Sequence, residues 1–195
     1  MNIFADPLYA FVFLGLFSPG PNVILLTASG ARFGFRRTLP HLFGVVLGVG
    51  IVAGLTAYGL GALLLAYPSL TFILKMFAAL WILWMAWRLW NAKPRDADDV
   101  DAPMNFSQAV LFQWVNPKIW AVAVTAISVY HANLSPSGEA LRLATAFSGI
   151  NLFVCLFWTS AGALLTYLLA SPAAWRIFMR VMALALVAFS LMVFV

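Results

Sequence analysis

Six apolar runs, at roughly 7–27, 41–65, 69–90, 107–130, 141–169 and 173–194, make up most of the chain. A helix needs about 20 apolar residues to cross a hydrocarbon core of about 30 Å, so each run is long enough to span a membrane once. The runs are continuous, whereas a membrane-barrel strand would show about ten residues of alternating polarity, so helices are expected and a barrel is not. Composition agrees: 64% of the 195 residues are hydrophobic and 9% are charged, against roughly 25% charged in a soluble domain. Lipid must be the solvent for most of the surface. The chain is read as an all-α integral membrane protein of the inner-membrane type, one transmembrane domain over residues 1–195. The N-terminus lacks the basic segment and cleavage site of a secretory signal, so the first run is expected to persist as the first helix.

Charge sets the orientation. Eight of the eleven Lys/Arg residues, Arg32, Arg36, Arg37, Arg88, Lys93, Arg95, Arg176 and Arg180, flank the first, third and fifth connections, while Arg142 alone falls in the second or fourth. The positive-inside rule puts the odd connections in the cytoplasm and both termini outside. The net charge of +5 therefore reads as topology and not as a nucleic-acid surface. Asn91 to Asn105 is the one hydrophilic stretch, with Asp96, Asp98, Asp99 and Asp101, and reads as a cytoplasmic linker without chemistry of its own. It divides the chain into repeat one (1–90), linker (91–106) and repeat two (107–195). Three helices per half force the halves to cross the membrane in opposite directions, the arithmetic of an inverted-topology repeat.

Matching positions carry matching breaks. The first helix of half one is interrupted at Ser18-Pro19-Gly20-Pro21-Asn22, and that of half two at Gln113-Trp114-Val115-Asn116-Pro117-Lys118. Two prolines around a glycine remove backbone donors and admit unusual torsions, so no intact helix runs through Pro19-Gly20-Pro21. Freed backbone groups persist at membrane depth only beside protein or a watery cavity, and broken helices commonly line substrate sites. Pro19, Gly20, Pro21, Asn22, Gln113, Asn116, Pro117 and Lys118 are therefore the expected binding residues, against the plainer reading of a kink that improves packing. Lys118 lies eleven residues past Ser107, about 16 Å along a regular helix. Every acidic residue lies near a membrane boundary or in the linker. Its counter-charge is then a substrate carboxylate or carbonyls freed at the Asn116-Pro117 break, unless the amine is uncharged. If the helix starts later, Lys118 is instead one more cytoplasmic anchor.

Other residues read as structural. Trp81, Trp84, Trp87 and Trp90 recur every three residues as an interfacial belt. Arg32, Arg36 and Arg37 anchor to anionic lipid, Lys75 snorkels, and Cys155 packs, with no Cys/His cluster to hold a metal. His41 and His131 read as solvated interface residues. Gly44 and Gly48 form a small-residue face that allows close helix approach, and such faces would allow a homodimer.

Pro19-Gly20-Pro21-Asn22, then Gly30-Ala31-Arg32-Phe33-Gly34, then Gly44-Val45-Val46-Leu47-Gly48 closely resemble the opening of the LysE/RhtB family of amino-acid exporters, and Gln113 to Lys118 resembles its second-half motif. The resemblance covers the whole chain in length, helix number and motif order. It implies efflux of an amino acid or derivative from the bacterial cytoplasm across the inner membrane, driven by a secondary gradient, with no cofactor. Val115-Asn116-Pro117-Lys118-Ile119 and Val124 to Ser128 are similar to the branch exporting cysteine and O-acetylserine; the family also exports homoserine, threonine, leucine, lysine and arginine. The zwitterion would sit between the two breaks, its carboxylate at half-helix N-termini or Lys118 and its ammonium at carbonyls with Asn22 and Gln113. Two other classes fit less well. A cation transporter would need acidic, Cys or His ligands that the helices nearly lack. An intramembrane enzyme would need Ser29 with His41 or His131, and the sequence offers no third group to orient the base.

Overall fold

The computed structural model describes residues 6–93, 102–169 and 171–194, and every regular element among them is a helix. The aspartates of the expected linker, Asp96, Asp98, Asp99 and Asp101, lie outside the described residues. In chain order the helices are α1 (Pro7–Phe17), α2 (Pro21–Phe33), α3 (Phe35–Leu55), a π-helical turn (Thr56–Leu60), α4 (Gly61–Ala66), α5 (Pro68–Trp90), α6 (Phe106–Val115), α7 (Pro117–Val129), α8 (Pro136–Leu165) and α9 (Pro172–Met192). Pro7, Pro21, Pro68, Pro117, Pro136 and Pro172 each open a helix, where the missing N–H costs nothing and the fixed φ suits the first turn.

Phe35–Ala66, Pro68–Trp90, Pro136–Leu165 and Pro172–Met192 are each long and apolar enough to cross a membrane. The pairs α1/α2 and α6/α7 bend by 57° and 63° and bring the number to six if each pair is one span. The second span starts at Phe35 rather than near residue 41, because the turn is made by Gly34 alone at φ +79°, a torsion that favours glycine. The fifth starts at Pro136 rather than 141 because Glu139 and Arg142 have partners within the fold. Glu139 accepts the Ala132 and Leu134 N–H groups. Arg142 bonds the Asp6 carboxylate at 2.6 Å and the Tyr130 carbonyl at 2.7 Å. Asp6 in turn caps α1 by accepting from Leu8 N at 3.0 Å.

At the centre α3 packs on α8, flanked by α2 against α8 and α6 against α3, while α5 and α9 pair as a second layer. Glycines set the close approaches. A Cβ on Gly30 would stand 2.4 Å from the Thr159 carbonyl oxygen, and one on Gly162 2.1 Å from that of Thr27, so α2 and α8 meet backbone to backbone. Gly44 and Gly48 meet α6 in the same way, at Phe106 and at Gln113 and Val110. The small-residue face that would have allowed a homodimer is thus covered within the chain. Apolar side chains of α1, α2, α3, α7 and α8, Leu8, Val12, Leu26, Val49, Ile119 and Phe147 among them, fill the main core. Ile24, Leu25, Ile82, Phe112 and Leu186 join the second layer to it.

Candidate functional site

Each break places a helix N-terminus inside the bundle. After α1 the chain leaves the helix at Ser18, runs extended through Gly20, and restarts at Pro21, so Asn22 is the second residue of α2. After α6, Asn116 leaves the helix, its side chain accepts the Lys118 N–H at 3.3 Å, and Pro117 opens α7 with Lys118 second. Asn22 and Lys118 therefore hold matched positions. The 11 residues of α1 and the 10 of α6 are about 16 Å and 15 Å long, half of a roughly 30 Å core, which puts both breaks at comparable depth if each helix starts at its interface.

The two breaks are joined by side chains. Asn22 Nδ2 donates to Gln113 Oε1 at 2.8 Å, and Gln113 Nε2 donates back to Asn22 Oδ1 at 3.1 Å. Gln113 also donates to the Ala109 carbonyl at 3.0 Å, and Asn116 Nδ2 approaches Gln113 Oε1 at 3.4 Å. The Lys118 ammonium donates to the Ser18 carbonyl. The carbonyl thus comes from the opposite break at Ser18 and not from the Asn116-Pro117 break that the sequence points to. Gly20 makes room for this reach, because a Cβ there would stand 2.8 Å from Lys118 Cδ and 3.0 Å from its Nζ.

Gly20, Asn22, Asn116 and Lys118 line a small cavity with Asn151, Cys155 and Trp158 of α8. Its volume of about 10 Å³ is room for about one water and far too little for an amino acid. Two of its polar groups have no bonding partner: Asn151 Nδ2, on a side chain 2% exposed, and the buried Trp158 Nε1. With Lys118 they bring three donor-bearing side chains to one lining, which among the described residues holds no carboxylate. A buried donor left unmatched costs about 1–3 kcal/mol, so the set is complementary to an anionic oxygen ligand.

Of the expected site residues, Asn22, Gln113, Asn116 and Lys118 form one network, and Gly20 and the helix-opening Pro21 and Pro117 shape it. Pro19 is exposed and takes no part. Ser18, Asn151 and Trp158 were not anticipated. For Asn151 the signal was available, as an amide inside the apolar run 141–169. His41 requires a correction: far from being solvated at an interface, it is 2% exposed on α3, and neither ring nitrogen has a bonding partner. The Ser29 hydroxyl pairs with Thr38 at 3.1 Å, so this serine has no base poised on it.

The LysE type translocator family model matches residues 13–195. A cysteine/O-acetylserine efflux protein of Salmonella choleraesuis is 27% identical over 151 residues, 77% of this chain and 74% of that protein. Proteins of the same description in Escherichia coli O1:K1 and Shigella flexneri serotype 5b are 28% and 29% identical, covering 80% and 83% of this chain and 80% and 84% of theirs. No solved structure matches the chain. A match over nearly the whole length, on a bundle whose two broken helices carry the motif residues, means that the chain belongs to the LysE-type translocator family.

Proposed function

We propose that this chain exports an amino acid or a close derivative from the bacterial cytoplasm by alternating access, with the junction of the two broken helices as its substrate site. The observation that carries the reading is the donor set of Lys118, Asn151 and Trp158 between two half-helix N-termini, in a cavity without an acidic side chain. Such a set suits an α-carboxylate, whose charge the half-helix N-termini also favour. The ammonium of the same zwitterion is served by the Ser18 carbonyl and by the amide oxygens of Asn22 and Gln113. Asn22 with Gln113 and Lys118 with Ser18 satisfy one another, and a substrate must exchange its own bonds for theirs.

The two halves act as inverted repeats, residues 1–90 and 107–195 joined by the linker 91–106. Supporting this, α1/α2 lies against α8 as α6/α7 lies against α3, while α3 with α8 and α5 with α9 form the two self-related pairs. In this reading the termini face the periplasm, which the arginine distribution supports. The substrate is drawn from the cysteine and O-acetylserine class named for the relatives, which a short polar side chain beside Cys155 and Asn151 would fit.

The test is efflux from bacteria expressing the protein and loaded with each candidate amino acid. Lys118→Met should reduce export to the level of cells without the protein while leaving folded protein in the membrane. Unchanged export by that variant would remove Lys118 from the mechanism, and no export of any amino acid by the wild type would reject the function.

A further inference from the structure

The start of α1, the end of α7 and the start of α8 meet at one end of the bundle, and a single side chain holds them together. Arg142, in the second turn of α8, donates to the Asp6 carboxylate at 2.6 Å and to the Tyr130 carbonyl at 2.7 Å, and stands 3.5 Å from the Glu139 carboxylate. Asp6 is the N-cap of α1 and Tyr130 the C-cap of α7, so the bonds to them run between helices, whereas Glu139 belongs to α8 itself. The Arg142 and Asp6 side chains are 10% and 14% exposed. Further along, the same three helices wall the cavity at the broken-helix junction, with Leu16 from α1, Ile119 from α7 and Cys155 from α8. Packed layers fill the distance between. The Phe11 and Tyr130 rings lie 5.2 Å apart, Val12 is fully buried, and Gly15 abuts Val122 so closely that a Cβ there would stand 3.0 Å from Cγ1.

We propose that Arg142 is the latch of the gate on the periplasmic side: its bonds to Asp6 and Tyr130 hold α1 and α7 against α8, and their release opens the cavity toward that end. The proposal deepens the alternating-access reading and rests on it, since a site must open to each face in turn and α1, α7 and α8 must part for it to open here. The chemistry suits a reversible tie. At the end of a span a released carboxylate and guanidinium return to water, so their separation costs far less than it would at membrane depth. Glu139 moves with Arg142 on the same helix and keeps a counter-charge beside it once Asp6 has left. The layers below the latch, Phe11 on Tyr130 and Gly15 on Val122, meet through apolar contact and part once it is broken. Arg142 is not among the residues lining the junction, so it acts on transport through the helices it positions.

The chain carries its own reporter, because Cys155 is its only cysteine, lines the cavity and is 1% exposed. The membrane-impermeant reagent sulfonatoethyl methanethiosulfonate is applied to spheroplasts, which present the periplasmic face, and to inverted vesicles, which present the cytoplasmic face. Wild type should react slowly from the periplasmic face. Asp6→Asn keeps the oxygen that caps α1 and removes the charge, and Arg142→Gln removes the guanidinium. Loss of a charge-assisted bond made only in the latched form should raise the open population, and with it labelling from the periplasmic face, at least about tenfold in each variant. Labelling from the cytoplasmic face should not rise. Thr166→Val is the control: it cuts the bond from Thr166 Oγ1 to the Ala31 carbonyl, 3.0 Å, at the opposite end of α8, and should leave periplasmic labelling as in wild type. Labelling needs no substrate, so its outcome is separate from whether export is seen. Rapid periplasmic labelling of wild type, no acceleration in Asp6→Asn and Arg142→Gln, or equal acceleration from both faces or in Thr166→Val, would overturn the proposal.

Discussion

Replacing both members of the Asn22–Gln113 pair separates their structural from their transport role. The two amides exchange two hydrogen bonds, at 2.8 and 3.1 Å. Interhelical bonds inside membranes average about 0.6 kcal/mol, so the pair should contribute about 1 kcal/mol to holding the two broken helices together. Because every 1.4 kcal/mol is tenfold, this is a bias of about five- to tenfold toward the joined arrangement. Asn22→Leu alone leaves the fully buried Gln113 Oε1 with only the long approach from Asn116, an exposed deficit that should cost about 1–3 kcal/mol. Gln113→Leu strands the half-buried Asn22 and removes the acceptor that the buried Asn116 Nδ2 approaches. The double variant removes both deficits, and apolar replacement of both partners of a buried bond is close to neutral.

Unfolding in mixed micelles should therefore give a coupling energy of about 2 kcal/mol or more between the two substitutions, the sum of two single costs of at least about 1 kcal/mol each against a near-neutral double variant, with the double variant nearer the wild type than either single one. Export should nevertheless stay at background in the double variant, because the Asn22 and Gln113 oxygens proposed for the substrate ammonium are gone. If the singles add without coupling, the pair does not join the helices as described. If the double variant exports normally, both amides are structural and the proposed ammonium site is wrong.

Two further outcomes follow from single contacts. Gly20→Ala puts a methyl into the space held by Lys118 Cδ and Nζ; because Gly20 has φ −175°, which any residue can adopt, the effect should be steric. Efflux should fall at least about tenfold with the unfolding midpoint little changed, and normal efflux would show that the reach of Lys118 to Ser18 is dispensable. At the other end, burial alone would raise the Asp6 carboxyl, but the Arg142 guanidinium and the Leu8 N–H outweigh it and hold it below the ordinary aspartate value. A depressed carboxyl adds stability above its unfolded value and loses it as pH falls through the folded one. The tie from α1 to α8 should thus persist at neutral pH and weaken only below the ordinary aspartate range. A loss of stability in wild type, absent from Asp6→Asn, between pH 5 and pH 7 would contradict the assignment.

What the sequence disclosed and what it hid have physical causes. Run length and the Pro-Gly-Pro and Asn-Pro interruptions act on the local backbone, so spans and breaks were legible at Ser18–Asn22 and Asn116–Lys118. Even the register of the site was visible, since Pro21 and Pro117 open helices and set Asn22 and Lys118 one residue further on. Contacts between distant segments were not. Arg142 looked like a lone loop cation until its carboxylate proved to be Asp6, 136 residues away. His41 looked solvated because its burial depends on helices that meet only in three dimensions. Asn151 stood out as an amide in an apolar run, but its place in the same cavity as Lys118 depends on how α8 is seated on α2 by the glycine contacts.

The absence of a carboxylate from the closed cavity also constrains how export can be driven. Moving a zwitterion leaves the site's charge unchanged, so accumulation against a gradient needs a group that gains and loses a proton, or a different ion. Among the residues lining the cavity only Lys118 and Cys155 titrate, and Cys155 is 1% exposed in apolar packing. Lys118 is then the group through which a proton gradient would act. Arginine at that position keeps its proton at every accessible pH and can still donate to a carboxylate. In proteoliposomes Lys118→Arg should keep exchange of internal for external substrate, which needs only binding and rocking, and lose accumulation driven by a pH difference. A gradient of one pH unit is worth about 1.4 kcal/mol, tenfold in substrate ratio for one proton exchanged, so the loss is readily measured. Retained accumulation at that ratio would move the proton away from Lys118, and His41, buried on α3 with both ring nitrogens unpartnered, would become the group to test.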